Sequence, residues 1–369
     1  MLDHIRTVAL NRRGVLRAAV VAVAFGGVIN SGLSLMANEM PAEPATKPER
    51  LVVRTWGGPW RTTYGESAAA SFTARTGIPV EFDVTDFNEL QVKIAQSVSA
   101  GSRPPVDLVL TIESMAFAAQ VQGLSVPLDP YMIESRADLS SLAMPAEATS
   151  YVNVAAYSQP VVYDPKAVTL ADGISWDELL DPKYEGTLFV TNTFPSLLFP
   201  FARTMGLDPA KDDLTPVFDK IARIKANIAA AGDEEEFIAG IEAGEVRLGV
   251  TLVGTAMEVE GLKWVVPKEG AVVSAESMYV PAGLPEDVTY WAQVFISEVL
   301  TAENQSKIAA GIAETPINLK ATVPDFMKGD PAFPVTEAEI AKYGIVVPVE
   351  VEARNKDRWQ AAYSAAIQR

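Results

Sequence analysis

Short apolar runs alternate with stretches of helical periodicity along most of the chain. After the apolar run that begins at Leu51, the four-residue spacing of Tyr64, Ala68 and Phe72 predicts a helix, and residues 78–84 alternate as a strand. This is a strand–helix–strand unit. It is the repeating element of sheets in which parallel strands are joined by helices.

A second unit follows directly. Asp86 and Glu89 have the spacing of a capping box and predict a helix that ends near Gly101. Residues 106–112 (VDLVLTI) form a buried apolar run, and a helix is predicted from Glu113. Two units in succession predict a parallel sheet with right-handed crossovers.

The second half of the chain shows the same two patterns. Residues 150–162 are β-prone and are predicted to cross to a second lobe. We also predict strands at 186–192, 248–253, 264–267 and 278–281, and helices at 214–231, 234–243, 287–300, 301–312 and 354–369.

The first break after a predicted strand is the segment Trp56-Gly57-Gly58. Ligands of open α/β sheets bind beyond the carboxyl ends of strands, beside helix N-termini. Glycines let a backbone approach a ligand closely, and a tryptophan offers a flat apolar face. The segment is therefore a candidate ligand loop, and a tight turn whose tryptophan packs into the core is the alternative. The loop at 111–114 is expected to open on the same edge.

Composition excludes several kinds of chemistry. The 369 residues include no cysteine and a single histidine, His4. Disulfides, thiolate sites and thiol nucleophiles are therefore excluded. If the N-terminus is removed, Ser-His-Asp catalysis and histidine-bound zinc are excluded as well. An enzyme would have to use carboxylates, lysine or tyrosine.

The N-terminus has the pattern of an export signal, predicted over residues 1–37. A positive region with Arg12 and Arg13 precedes an apolar run of 12 residues at 18–29, which is too short to span a bilayer. The arginine pair resembles a twin-arginine signal, and Sec export or a retained anchor remain open. Residues 38–50 contain three prolines and predict a flexible lead-in.

Acidity bears on the possible partners. The formal net charge of −17 becomes −20 when residues 1–37, with four arginines and one aspartate, are removed. A protein this acidic should repel nucleic acid and anionic lipid, although acidity commonly serves solubility alone. We therefore expect no nucleic-acid partner.

Several motifs taken in order resemble an extracellular solute-binding protein of an ABC importer, of the spermidine/putrescine-binding type. Together they span about residues 51–320. They are the Trp56 loop, TGIPV (76–80), VDLVL (106–110), SWDELLDPKYEGTL (175–188), GEVRLGV (244–250), VVPKEGA (265–271), TAENQSKIA (301–309) and TPIN (315–318).

The resemblance implies an α/β fold of the type II-like periplasmic binding protein class. Each of its two lobes would be a mainly parallel sheet flanked by helices, with a hinge at the crossover strands. Lobe 1 would comprise residues 50–155 plus 276–317, and lobe 2 residues 156–275 plus 318–369.

The resemblance also places ligand positions. The tryptophan of the first loop matches Trp56, and the polar cluster after the second strand falls at Glu113 and Ser114, without its aromatic residue. The acidic pair that grips the polyamine falls near Thr193 and Ser196, neither of which is charged.

The later positions of the family also differ here. The tryptophan before Gly254 becomes Leu252, and the tryptophan and aspartate after PKEG become Ser274 and Glu276. An extended dication needs carboxylates at both ends and aromatic faces along its methylenes. The motifs that carry the resemblance are kept, whereas the residues that bind the polyamine in the family are largely replaced.

We therefore predict a periplasmic, non-enzymatic and monomeric substrate-binding component that delivers a small polar, amine- or amino-acid-derived solute to an inner-membrane ABC permease. It would need no cofactor and no metal. The predicted ligand-binding residues are Trp56, Gly57, Gly58, Glu113, Ser114, Asn192, Thr193 and Glu276.

Four alternatives remain open at this point. The ligand could be a polyamine or ferric iron. The protein could be a carboxylate-only hydrolase with Glu113 and Glu276 facing each other across the cleft. It could also be a sensor that presents its ligand to a receptor.

Overall fold

The computed structural model describes residues 40–368. The predicted signal peptide of residues 1–37 lies outside this range. The described chain forms two β-sheets flanked by helices. The strands are β1 (Leu51–Arg54), β2 (Val80–Asp83), β3 (Leu108–Ile112), β4 (Tyr151–Gln159), β5 (Val161–Tyr163), β6 (Leu188–Thr191), β7 (Ile228–Gly232), β8 (Leu248–Val250), β9 (Lys263–Val265), β10 (Ala271–Tyr279), β11 (Thr315–Pro316) and β12 (Gly344–Ile345).

The larger sheet has seven strands in the order β11-β4-β10-β3-β1-β2, and β12 pairs with β10. The pairs of β1 with β2 and with β3 are parallel, as the strand–helix units predict. The smaller sheet has five strands in the order β7-β6-β8-β5-β9, with β6 parallel to both of its neighbours. The α/β two-sheet fold class is thus confirmed. The expectation of mainly parallel sheets is wrong, because both sheets also contain antiparallel pairs and are mixed.

Helices cover both sheets. They are α1 (Pro59–Tyr64), α2 (Ala70–Thr76), α3 (Phe87–Ala100), α4 (Glu113–Val121), α5 (Pro195–Thr204), α6 (Thr215–Ala222), α7 (Glu234–Glu242), α8 (Val253–Glu258), α9 (Glu286–Val299), α10 (Ala302–Ile312), α11 (Glu337–Tyr343) and α12 (Val349–Ile367). The Asp86 side chain caps α3, and Thr336 with Glu339 forms a complete capping box on α11. No helix within residues 40–368 is long and apolar enough to cross a membrane.

Two strands connect the sheets. β4 and β10 pair antiparallel from Gln159 opposite Val272 to Tyr151 opposite Tyr279, with an irregularity between Glu276 and Ser277. β4 leads within two residues into β5 of the smaller sheet. Because both sheets depend on this ladder, residues on it lie where the two halves of the molecule meet.

Each sheet has its own hydrophobic core. In the first, Phe72 of α2 makes edge contacts with Trp291 and Phe295 of α9. In the second, Trp359 of α12 makes edge contacts with Phe194 and with Phe199 of α5. Such contacts stabilise the fold by more than the burial of their apolar area alone provides.

The lead-in of residues 40–50 contains no helix or strand. It is attached to α9, where Thr46 Oγ1 donates to Asp287 Oδ2 at 2.8 Å and the Lys47 ammonium lies 4.7 Å from the centre of the Trp291 ring. Lys47 Nζ also donates to the carbonyl oxygen of Thr76. These contacts hold the segment before β1 against α9 and the end of α2.

The predicted helix at 214–231 is wrong in its second half. The helix α6 ends at Ala222, and residues 228–232 (IAAAG) form β7, which pairs in parallel with β6 at the edge of the smaller sheet. Alanine favours helix when tertiary contacts are ignored. Backbone pairing with β6 outweighs that preference here.

Two further bounds differ from the prediction. The strand predicted at 278–281 is the end of the nine-residue β10, and the tail helix begins at Val349 rather than at residue 354. The earlier start matters because it brings Glu350 and Glu352 into the first turn of α12.

We predict that Trp359→Ala destabilises the protein by about 3–5 kcal/mol, because Trp359 is 2 % exposed and its indole fills the second core. The free energy of unfolding, measured by denaturant titration of the mature protein, checks this. Asp357→Ala on the exposed face of the same helix is the control and should change it by less than about 0.5 kcal/mol. Equal effects of the two changes would show that α12 is not anchored by this ring.

Candidate functional site

The loop after β1 brings Trp56 and Glu276 together, although they are far apart in sequence. Trp56 Nε1 donates to Glu276 Oε2 at 2.9 Å. The Arg54 guanidinium lies 3.9 Å from the centre of the Trp56 ring and covers one of its faces. Arg54 Nη1 in turn donates to the carbonyl oxygen of Leu110 at 2.7 Å. Trp56 is thus held in place and offers at most its other face to a ligand.

Gly57 and Gly58 are exposed at the start of α1. Gly58 has a φ of 54° and would force a side chain into the left-handed region. No heavy atom lies within 4 Å of a Cβ built on either glycine. The backbone of this loop is therefore open to solvent rather than packed beneath the core.

Glu276 lies on β10 and is only 4 % exposed. Burial raises the pKa of its carboxyl to about 7, against the opposing effects of the Trp56 hydrogen bond and the Arg54 charge. Glu276 therefore ionises near neutral pH.

A large cavity, of about 540 Å³, lies between elements of the two sheets. Its walls come from the crossover strands β4 and β10, from the start of α4, from the loop into α5 and from the start of α12. Four glutamates and one lysine line it, namely Glu113, Glu147, Glu350, Glu352 and Lys356. The volume suits a small organic solute, and the charge favours a cation.

Glu113 is fixed by neutral donors. Asn153 Nδ2 donates to its Oε1 at 3.1 Å and the Tyr151 hydroxyl donates at 3.3 Å. Asn153 is itself held by the carbonyl oxygen of Leu142 at 2.7 Å. Burial raises the pKa of Glu113, and the negative charge of Glu147 raises it further.

Glu147 and Glu350 interact with each other, and Glu352 interacts with Lys356 and Glu113. Burial and the charge of Glu350 raise the pKa of Glu147, and Oε2 of Glu350 is buried without a hydrogen-bond partner. Burial also raises the pKa of Glu352 to about 7, with Lys356 opposing the shift and Glu113 adding to it. A cation entering this cavity would relieve both the desolvation and the mutual repulsion.

The structure divides seven of the eight predicted ligand residues into two groups and leaves Asn192 outside both. Glu113, Ser114 and Thr193 line the large cavity. Trp56, Gly57, Gly58 and Glu276 form the neighbouring loop cluster and do not line it. Asn192 is exposed, lies outside the cavity, and its carbonyl oxygen accepts from Gln360 Nε2 at 2.8 Å.

Sequence reasoning missed Glu147, Glu350 and Glu352. In the structure the last two lie in the first turn of α12, where a carboxylate stabilises the helix dipole, whereas the sequence predicts a tail helix only from residue 354. Their second role depends on where α12 lies, which the local pattern does not contain. Within residues 40–368 no group of three or more acidic or histidine side chains is arranged to hold a metal ion.

Two sheets joined by a crossover ladder, with a polar cavity between them, define a two-lobed binding-protein architecture. Residues 67–335 match the family model described as bacterial extracellular solute-binding protein, and the chain belongs to that family. The resemblance drawn from its motifs is thereby confirmed. No curated protein matches the chain.

Solved structures show the same fold at low sequence identity. The spermidine/putrescine substrate-binding protein PotD of Streptococcus pneumoniae is 21 % identical, with a TM-score of 0.71 over 87 % of this chain and 100 % of that one. The GABA receptor Atu4243 is 20 % identical, with a TM-score of 0.71 over 87 % of this chain and 98 % of that one. The protein MotA of Agrobacterium tumefaciens B6, solved with glucopine, is 18 % identical, with a TM-score of 0.69 over 86 % and 100 %.

We predict that Glu276→Gln reduces the dependence of stability on pH. A carboxyl whose pKa rises from 4.5 to about 7 on folding stabilises the protein fully below about pH 4.5, and this contribution is lost as the pH rises through about 7. The glutamine keeps an oxygen that accepts from Trp56 but does not ionise.

Melting temperatures measured from pH 5 to pH 8 check this prediction, and the decline should be shallower in the variant. Glu242→Gln, at an exposed position of α7, is the control and should follow the unmodified protein. Identical slopes for all three proteins would contradict the buried, neutral state of Glu276 at low pH.

Proposed function

We propose that this solute-binding protein captures an amine-bearing solute, such as an amine or an amino-acid-derived compound, in its large cavity and delivers it to an inner-membrane ABC permease from the periplasm. The two lobes, residues 50–155 with 276–317 and residues 156–275 with 318–369, would close on the solute about the crossover strands. The protein would act as a monomer, without a cofactor and without nucleic acid.

The observation that carries this proposal is the excess of carboxylates in the cavity. Four glutamates face one lysine there. Half-buried carboxylates without cationic partners are costly, and a bound ammonium group repays that cost through charge-assisted hydrogen bonds. Lys356, at the edge, offers a counter-charge to a carboxylate on an amino-acid-derived solute.

The ligands named for similar structures support the same class. PotD is named for polyamines, another relative is a GABA receptor, and MotA was solved with glucopine. All of these ligands contain nitrogen. The cavity also contains the rings of Tyr157, Phe194 and Phe199, which could contact the apolar part of such a solute.

A hydrolase that uses Glu113 and Glu276 receives less support. The pair would need to face one substrate from the two sides of a shared cavity. Glu113 lines the large cavity, whereas Glu276 is buried against Trp56 and Arg54. A binding role without catalysis therefore fits the geometry better.

A thermal-shift screen of the mature protein tests the ligand class. Monoamines, amino acids, opines, polyamines, sugars and ferric citrate would be compared at equal concentration. At a hundredfold excess over Kd a true ligand stabilises the folded protein by about 2.7 kcal/mol. A shift from sugars or ferric citrate alone would contradict the amine proposal, and turnover of a glycoside would contradict the binding role.

We predict that Glu352→Gln weakens binding of the amine found in this screen by about tenfold, since it removes one half-buried charged acceptor. Isothermal titration at pH 8 measures the change. Glu242→Gln is the control, because it removes the same charge at an exposed position that does not line the cavity. Equal affinities of the two variants would place the ligand elsewhere.

A further inference from the structure

Arg54 is a buried cation at the end of β1. It is 2 % exposed, and within residues 40–368 no carboxylate forms an ion pair with it. Its Nη1 donates to the carbonyl oxygen of Leu110 at 2.7 Å, and its Nε donates to that of Thr85 at 3.3 Å. A buried charge without a paired ion is costly, so the guanidinium needs compensation from its wider surroundings.

Aromatic rings supply one part of that compensation. The guanidinium carbon lies 3.9 Å from the centre of the Trp56 ring and 5.9 Å from the centre of the Phe87 ring. An aromatic face attracts a cation, most strongly where water is excluded, and the planar guanidinium stacks well on such a face. The face of Trp56 that Arg54 covers is therefore occupied by a cation of the protein itself.

Glu276 supplies the other part. Its Oε2 accepts from Trp56 Nε1 at 2.9 Å, so that the carboxylate and the guanidinium both contact one indole. Glu276 is the first of the negative charges that act on Arg54, ahead of Asp86 and Asp83. Those two aspartates already accept from backbone N–H groups of their own segments. Glu276 is thus the carboxylate whose charge Arg54 chiefly counters.

The loop cluster and the large cavity differ in their balance of charge. The cavity has four glutamates and one lysine. The cluster of Arg54, Trp56 and Glu276 has one buried carboxylate and one buried guanidinium, of which the carboxylate is 4 % exposed. A second cation beside Glu276 would meet repulsion from Arg54 and would find one face of the indole already covered.

We propose that Arg54 is a specificity-determining residue, whose guanidinium acts as a built-in cation beside Trp56 and Glu276 and thereby restricts a cationic solute to the large cavity. Removal of the guanidinium should create a cation site at the loop that the unmodified protein lacks. The consequence for the solute rests on the proposed amine-binding function, whereas the role of Arg54 as counter-ion does not.

Chemical rescue of Arg54→Ala tests the built-in cation. The probe is N-ethylguanidinium chloride, which has the heavy atoms of arginine beyond Cβ, and N-ethylurea is the neutral planar comparison. We expect Arg54→Ala to melt at a lower temperature. N-Ethylguanidinium at low concentration should restore about half or more of the loss, because a ligand that binds only the folded state stabilises it.

Arg61→Ala is the matched control, because it removes an exposed arginine from the neighbouring helix α1. It and the unmodified protein should share any small shift that the salt causes elsewhere. The rescue should be largely lost when Arg54→Ala is combined with Glu276→Gln. Absence of rescue, equal rescue by N-ethylurea, or rescue that survives Glu276→Gln would overturn the counter-ion role.

Arg54→Met and Arg54→Lys provide a test that leaves the site filled. Burial raises the pKa of Glu276 to about 7 against the effect of Arg54, so this carboxyl is mostly neutral at pH 5 and mostly ionised at pH 8. Without a positive charge at position 54, ionisation of Glu276 should cost more. The melting-temperature deficit of Arg54→Met should therefore grow from pH 5 to pH 8, whereas that of Arg54→Lys should not.

Other titratable groups around Glu276 are the same in both variants. Glu314, Tyr64 and Tyr157 respond to its charge, and Tyr279 faces Arg54 from the same strand. The pH-dependent part should therefore disappear when Arg54→Met is combined with Glu276→Gln. A deficit that is equal at the two pH values would show that Arg54 only fills space, and would overturn the proposal.

The restriction of the solute has its own test. Titration calorimetry at pH 8 with the amine found in the screen should show a smaller loss of affinity for Glu276→Gln than for Glu352→Gln. An equal or larger loss for Glu276→Gln would place the solute at the loop and overturn the restriction. Failure of rescue together with a Glu352-dependent response to the amine would reject the role of Arg54 and leave the proposed function standing.

Discussion

The antiparallel pairing of β4 with β10 is the constraint on which the rest of the structure depends. These strands hold the larger sheet together, and β4 runs almost directly into β5 of the smaller sheet. They also carry residues of the candidate site, since Tyr157 of β4 lines the large cavity and Glu276 of β10 accepts a hydrogen bond from Trp56 of the first loop. A change in the angle between the sheets would therefore move residues of the proposed site.

Buried negative charge is the second feature that connects stability with function. The pKa values of Glu113, Glu276, Glu314 and Glu352 are all raised, and burial is the first cause in each case. Each group costs stability when it ionises without a partner. A cation bound beside these groups would repay this cost, so that the free energy lost by the unliganded protein above neutral pH would be recovered in binding. The proposed preference for an amine-bearing solute rests on this balance.

The local elements could be predicted from the sequence because their signals are local. The capping residue Asp86 and the buried run of β3 specify their own backbone, and the structure has them as predicted. The edge strand β7 could not be predicted, because its alanines favour helix until β6 supplies hydrogen bonds. The site was harder still. Glu350 and Glu352 form part of it only because α12 packs against both α4 and α6.

That packing gives α12 more than a structural role. Its C-terminal half is anchored in the second core by Trp359, while its first turn presents two carboxylates to a cavity that Glu113 of α4 also lines. The carboxylates of Glu113 and of α12 repel one another, and beyond the effect of burial this repulsion raises the pKa of Glu113 and of Glu352. In the proposed function, a cation bound between them would turn that repulsion into attraction through a shared partner. Neutralisation of these charges by the solute would then favour a closer approach of α4 and α12, and the aromatic and apolar contacts of the walls would set which solute fits.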